Sequence, residues 1–343
     1  MRAMVLSRVV TLQETRTPLT LAEMPIPSPG PGELLVRVAT CGVCHTELDE
    51  IEGRTPPPQY PVIPGHQIVG RVEHLGTEAS AFRVGDRVGI AWIYSACGKC
   101  RFCQCGQENL CQEFRATGRD VHGGYAEYVT VPEAFAHPIP AVFSDTEAAP
   151  LLCAGAIGYR SLRLAGVRDG GNLGLTGFGA SAHLMLKLVR HQCPATRVFV
   201  FSRSEDEQAF ALQLGAAWAG PIGREPPEKL QCCIDTTPAW MPVLEALQHL
   251  EPGGRLVINA IRKESTDRNT LLTLDYPRHL WQEKELKSVA NVTRADVREF
   301  LDLAAQIPLR PEVEEYTLGQ ANEALVELKE RRIRGAKVLC MEM

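Results

Sequence analysis

The chain has 343 residues, 45% hydrophobic and 22% charged, with a net charge of −5 and a pI near 6.0. That length supports two domains, each with its own core, and the mild acidity leaves no electrostatic footprint for nucleic acid. No apolar run approaches the ~18 residues of a membrane span, and MRAMVLSRVV is too short for a signal peptide, so a cytoplasmic protein without membrane contact is expected.

Residues 1–40 read as short strands and turns. Prolines at every second position from 25 to 31 give an extended lead into a strand where Leu35, Arg37 and Ala39 alternate with Val36 and Val38. Next come CGVCHTEL, a proline-rich loop with Pro56, Pro57, Pro58, Pro61 and Pro64, and then GHQIVGRVEHLG and VGDRV, whose glycine-punctuated β-branched runs are an all-β pattern.

Cys97, Cys100, Cys103 and Cys111 follow at the spacing C-x2-C-x2-C-x7-C, with Cys105 as a spare. Four thiolates on one short loop suit a closed tetrahedral zinc, which is structural because no position is left for water or substrate. Twelve cysteines in 343 residues are too sparse for a disulfide scaffold. An iron–sulfur cluster also uses four cysteines, though the common ferredoxin spacings differ.

GGYAEYVTV (Gly123 to Val131) reads as a turn and strand. At Ser144 the pattern changes: Ser144-x-x-Glu147 is a capping box opening a helical stretch to about residue 170 that carries Cys153. A βαβ series follows, with strands expected at Asn172 to Thr176, Val198 to Phe201, Ala216 to Ala219, Cys232 to Asp235, Leu256 to Asn259 and Leu286 to Ala290. Helices are expected at Asp206 to Leu214 and Trp240 to Leu250, and a third carries Ala182, Met185, Leu186 and Val189 at helical spacing. Six strands alternating with helices predict a doubly wound parallel sheet. Mixed structure closes the chain: a helix from about Arg294, a strand near Glu312 to Thr317, a helix from Gln320 and a strand over Lys337 to Met341. The basic run from Lys329 to Lys337 reads as a solvated helix end.

Gly177, Gly179 and Ala182 form G-x-G-x-x-A, with Phe178, Ala180 and Ser181 between, at a strand-to-helix junction. Glycine permits the tight turn and the close approach of backbone to a pyrophosphate, and Ala182 lets helix and strand pack closely. The second strand ends in Ser202-Arg203 rather than an acidic residue, and Ser204-x-x-Glu207 reads as a capping box that assigns the nearby acids to a helix start. A hydroxyl and a guanidinium suit a 2′-phosphate, so NADP(H) is favoured and NAD(H) is the alternative.

Taken together, GVCHTEL, GHQIVGRV with VGDRV, the four-cysteine loop, LLCAG and the glycine-rich loop occur in an order that resembles the zinc-dependent alcohol dehydrogenases of the medium-chain dehydrogenase/reductase superfamily. The resemblance implies a GroES-like β-rich catalytic domain over 1–153 and 292–343, a Rossmann dinucleotide-binding domain over 154–291, and an active site in the cleft between them. It implies that Cys44, His66 and Cys153 are ligands of a catalytic zinc with a fourth position open, making two zinc ions per chain. Thr46 matches the hydroxyl that passes the alcohol proton onward, and His45 the position facing the cofactor pyrophosphate. Trp92 and Tyr94, ahead of the cysteine loop, are candidate pocket walls, although two aromatics on a strand are more often core. Three positions depart from the commonest pattern. Gln67 replaces a glutamate, which removes a negative charge near the metal; Glu47 replaces an aspartate; and Asp49 stands where many members have the histidine ending the proton relay.

The expected activity is hydride transfer between an alcohol/aldehyde pair and a nicotinamide cofactor by a homodimer or homotetramer. The alternatives are a reductase of polyols, cyclic alcohols or conjugated carbonyls in the same superfamily, or a non-catalytic zinc- and dinucleotide-binding sensor.

Overall fold

The computed structural model describes residues 1–307, 309–330 and 335–341, so residues 331–334 of the basic run after Lys329 lie outside the described residues. The chain divides into two compact units, Met1–Cys153 with Val292–Met343, and Ala154–Asn291.

The first unit opens with β1 (Arg2–Val5) and β2 (Thr20–Glu23), an antiparallel pair, then β3 (Glu33–Val43), α1 (His45–Ile51), β4 (Gln67–Leu75), β5 (Arg87–Ile90), β6 (Ile93–Ser95) and α2 (Arg101–Gln104). It continues through β7 (Arg115–Ala116), β8 (Tyr128–Pro132), β9 (Ala136–Pro138) and α3 (Asp145–Pro150). β3 is the hub of its sheet, pairing antiparallel with both β4 and β8. A central strand is covered on both faces, which is why the expected alternation along β3 holds only at Arg37: Leu35 is buried along with Val36 and Val38. Arg37 reaches solvent and pairs with Glu73.

The helix expected to run to about residue 170 is broken. Pro150 has no N–H for the helical ladder, and the chain widens into a π turn over Leu151–Gly155 before α4 (Ala156–Ala165), which ends on left-handed Gly166. Cys153 sits on that π turn.

The second unit continues with β10 (Asn172–Thr176), α5 (Ala180–Gln192), β11 (Arg197–Phe201), α6 (Glu205–Gln213), β12 (Trp218–Gly220) and β13 (Leu230–Asp235). Then come α7 (Met241–His249), β14 (Leu250–Ile258), α8 (Tyr276–His279) and β15 (Glu285–Ser288). The six strands are parallel in the order β12-β11-β10-β13-β14-β15, a doubly wound Rossmann-type sheet whose order reverses between β10 and β13. β14 begins earlier than expected and β12 and β15 are shifted by a residue or two. The edge strand β15 has all four residues exposed, so it lacks the apolar signal that fixes a strand's limits.

The chain returns to the first unit with α9 (Arg294–Gln306), β16 (Val313–Thr317), α10 (Ala321–Lys329) and β17 (Ala336–Cys340). β17 pairs with β3, completing a seven-stranded sheet. Lys337 in this wholly buried strand is satisfied by Glu314 and Glu327, each at 2.7 Å, and by the Tyr316 hydroxyl. A buried ammonium without such partners would cost several kcal/mol.

Candidate active site and metal centres

Cys44 follows the last residue of β3 and is the N-cap of α1, with φ −130° and ψ 160°. Its backbone N–H donates to Glu47 Oε2 at 2.7 Å, while Glu47 Oε1 lies 2.5 Å from His66 Nδ1. One carboxylate therefore closes the helix start and fixes the imidazole. With Nδ1 engaged, Nε2 faces Cys153 Sγ at 3.2 Å. His66 owes its place to Gly65, which has φ +100°; a Cβ there would lie 2.4 Å from the Tyr125 ring.

The ligand atoms of Cys44, His66 and Cys153 all lie within 4.8 Å of one another. Zn–S and Zn–N bonds of about 2.3 and 2.0 Å set tetrahedral ligand atoms about 3.5–3.8 Å apart, so the trio fits one zinc with a fourth position free. The Cys44 thiol is held well below its ordinary pKa by its hydrogen bond with Cys153, and by His66, against the effect of burial. The same bond and burial push Cys153 up. Burial opposes the His66 imidazolium, but the Glu47 carboxylate and Cys44 outweigh it and raise His66 well above its usual value.

Thr46 is buried, with Oγ1 3.6 Å from Cys44 Sγ. His45 is exposed on the first turn of α1. Asp49 is ion-paired with Arg54, and no hydrogen bond joins it to Thr46 among the described residues. Gln67 is buried against Gly42 of the neighbouring strand. Glu50, one turn beyond Glu47, is a buried carboxyl that sequence reading did not single out, and neither oxygen has a hydrogen-bond partner among the described residues. Burial, and then the charge of Glu47, push it well above the carboxylate range. Its sequence signal was the i, i+3 spacing from Glu47, which places both on one helix face.

Trp92 and Tyr94 are both buried. Trp92 packs at 5.3 Å on Phe114 beneath the Arg119 guanidinium, and the Tyr94 hydroxyl donates to Glu33.

In the second candidate metal site Cys97, Cys100, Cys103 and Cys111 also have their sulfurs within 4.8 Å, with Cys97–Cys103 at 3.9 Å and Cys100–Cys103 at 3.6 Å. These spacings fit one tetrahedral ion, and all the cysteines are free thiols. Backbone N–H groups of Lys99 and Cys100 pull Cys97 down to about 7. Cys105 is exposed outside the group. Glu108 anchors the lobe by accepting from Arg294 N at 2.8 Å and Arg294 Nε at 3.0 Å.

The glycine loop joins β10 to α5. Gly177 has φ +78°, donates its N–H to Phe201 O at 2.8 Å, and has no room for a Cβ, which would meet Thr236 Oγ1 at 2.7 Å. Gly179 is the N-cap of α5 and faces open space. Ala180 opens the helix, Ser181 donates to Ala154 O at 2.9 Å, and Ala182 is fully buried. Where the strand order reverses, Asp235 accepts from Thr176 at 2.6 Å and Thr237 at 2.8 Å and pairs with Lys263, a network no motif announces. At the end of β11, Ser202 donates its hydroxyl to Glu207, and Arg203 is exposed. Ser204 does cap Glu207 N–H, but the Glu207 carboxylate turns to Ser202, so the expected box is only half formed.

No helix among the described residues is long and apolar enough to cross a membrane. The alcohol dehydrogenase GroES-like domain family matches residues 30–141. A probable alcohol dehydrogenase of Mycobacterium tuberculosis (strain CDC 1551 / Oshkosh) is 46% identical over 327 residues, covering 94% of this chain and 92% of the relative. An alcohol dehydrogenase of Geobacillus stearothermophilus is 33% identical over 341 residues, covering 97% and 98%. The solved structure of an NAD-dependent alcohol dehydrogenase superposes with a TM-score of 0.86 at 25% identity, over 99% of this chain and 100% of the other.

Proposed function

The chain belongs to the alcohol dehydrogenases of the medium-chain dehydrogenase/reductase superfamily, and from that premise we propose that Cys44, His66 and Cys153 hold a catalytic zinc and Cys97, Cys100, Cys103 and Cys111 a structural one. The protein is an oxidoreductase that moves a hydride between an alcohol/aldehyde pair and a nicotinamide cofactor. The observation that carries the site assignment is the meeting of three ligand atoms from distant segments within 4.8 Å, with the third-party carboxylate of Glu47 on His66 Nδ1.

Cys44, His66 and Cys153 would hold the zinc, which when bound would supply Lewis acidity toward the alcohol or carbonyl oxygen. The surrounding side chains orient and move protons. Glu47 holds the imidazole so that Nε2 presents its lone pair. Thr46 Oγ1, beside Cys44, takes up the alcohol proton as it releases its own, and Asp49, paired with Arg54, or water carries the released proton on.

Unit 1 is the catalytic domain and unit 2 the dinucleotide-binding domain. Gly177, Gly179, Ala180, Ser181 and Ala182 form the pyrophosphate cradle at the start of α5, with His45 as a further pyrophosphate contact. Ser202 and Arg203 speak for NADP(H) at the adenosine end; Glu207, in the same corner, speaks for NAD(H). The free cysteines suit a reducing cytoplasm. A homodimer or homotetramer is the working assembly, to be read from sedimentation.

The deciding experiment follows nicotinamide absorbance over a panel of aldehydes for wild type and Cys44→Ser, with zinc counted in both. Two zinc ions should fall to one and turnover should vanish; a variant keeping both zinc and turnover would overturn the ligand assignment.

A further inference from the structure

We infer that Glu207, reaching back from the first turn of α6 to Ser202, sets the cofactor choice, accepting the adenosine ribose hydroxyls of NAD(H) and opposing the 2′-phosphate of NADP(H). The inference rests on the dinucleotide reading of the glycine loop.

Several contacts fix this corner. Thr176 pairs with Phe201 across β10 and β11, and Gly177 N–H bonds Phe201 O, so Ser202 lies directly beside the glycine loop. Ser202 is almost wholly buried. Its single O–H is given to Glu207, and its oxygen already accepts Ser204 N–H at 3.2 Å. A hydroxyl so committed is no free donor for a phosphate. Two further contacts hold α6 in place: Gln208 Nε2 donates to Ser202 O at 2.8 Å, and Phe210 meets Phe178 of the glycine loop edge-on at 5.8 Å.

The charge balance points the same way. Glu205, Asp206 and Glu207 occupy the first turn of α6, against one guanidinium, Arg203, which makes no ion pair among the described residues. The positive end of a helix dipole amounts to about half a charge, too little to offset three carboxylates. A phosphate monoester adds a charge of about −1.5 to −2, whereas ribose hydroxyls donate to a carboxylate that has lone pairs to spare. An acidic partner for the ribose usually stands at the strand end. In this chain the carboxylate comes from the following helix instead.

The test titrates zinc-loaded protein with NADH and with NADPH by nucleotide fluorescence, for wild type, Glu207→Gln, Glu207→Ala and Arg203→Gln, with folding checked by circular dichroism. Wild type should bind NADH the tighter. Removing one charge at this range is worth about tenfold, so both Glu207 variants should narrow the gap by about that factor, and Arg203→Gln should widen it. Wild type preferring NADPH, or a ratio unmoved in either folded Glu207 variant, would overturn the role of Glu207. If wild type bound neither nucleotide, the reading of the glycine loop would fail, and the inference with it.

Discussion

The two candidate metal centres of the first unit are built in opposite ways. Cys97, Cys100, Cys103 and Cys111 come from one short lobe, where a four-residue helix and its N-cap set two of the sulfurs, Cys100 and Cys103, and the backbone itself lowers the Cys97 thiol. Cys44, His66 and Cys153 come from a helix N-cap, a glycine turn and a π turn, and Glu47 bridges two of these. A local site can form with little help from the rest of the chain. A dispersed one exists only when β3, β4 and the Pro150 break are all in place, and its ligands are few enough to leave a position for chemistry.

The sharpest way to break the contrast is at the ligands. Cys153→Ser should cost turnover at least about a thousandfold, as loss of Lewis acidity implies, while protein-bound zinc falls from two to one by metal analysis. Cys100→Ser should remove the other zinc and lower thermal stability or assembly first, with residual specific activity in whatever stays folded. Equal loss of turnover and unchanged melting in that variant would erase the distinction.

A smaller effect separates ligand from support. Glu47→Gln keeps size and the Cys44 contact but weakens the hold on His66, so zinc affinity at the dispersed site should fall about 10- to 100-fold in chelator competition. The four-cysteine site should be untouched.

Smaller still is an acid effect independent of both metals. Burial, with Arg298 and Arg294 nearby, depresses His137 to about 3, and burial depresses His183 to about 4. Each is neutral when folded and protonates near 6.5 when unfolded. Their contribution is therefore full above pH 6.5 and is lost as pH falls toward the folded values. For His137 the loss between pH 6.5 and 5 is about 2 kcal/mol, and His137→Leu should flatten the denaturation profile in that window. At the bottom of the scale, Cys105→Ser should change neither zinc content nor melting, since that thiol is exposed and outside the cluster.

Legibility followed the same division. The glycine loop, the Ser144 cap and the four-cysteine lobe are short-range patterns, and each appears where the sequence places it. Glu50, the Asp235–Lys263 network and the turn of Glu207 toward Ser202 carried no motif.

The sequence alone determined the elements whose cause is local: proline and glycine breaks, caps, parallel-strand apolar runs and clustered thiolates. Only the tertiary structure decided which distant groups meet. It set one carboxylate between Cys44 and His66, committed Asp49 to Arg54, and gave Ser202 a partner of negative charge. Backbone preference acts over a few residues, whereas the electrostatics of a site depend on groups joined only by the packing of strands far apart in the chain.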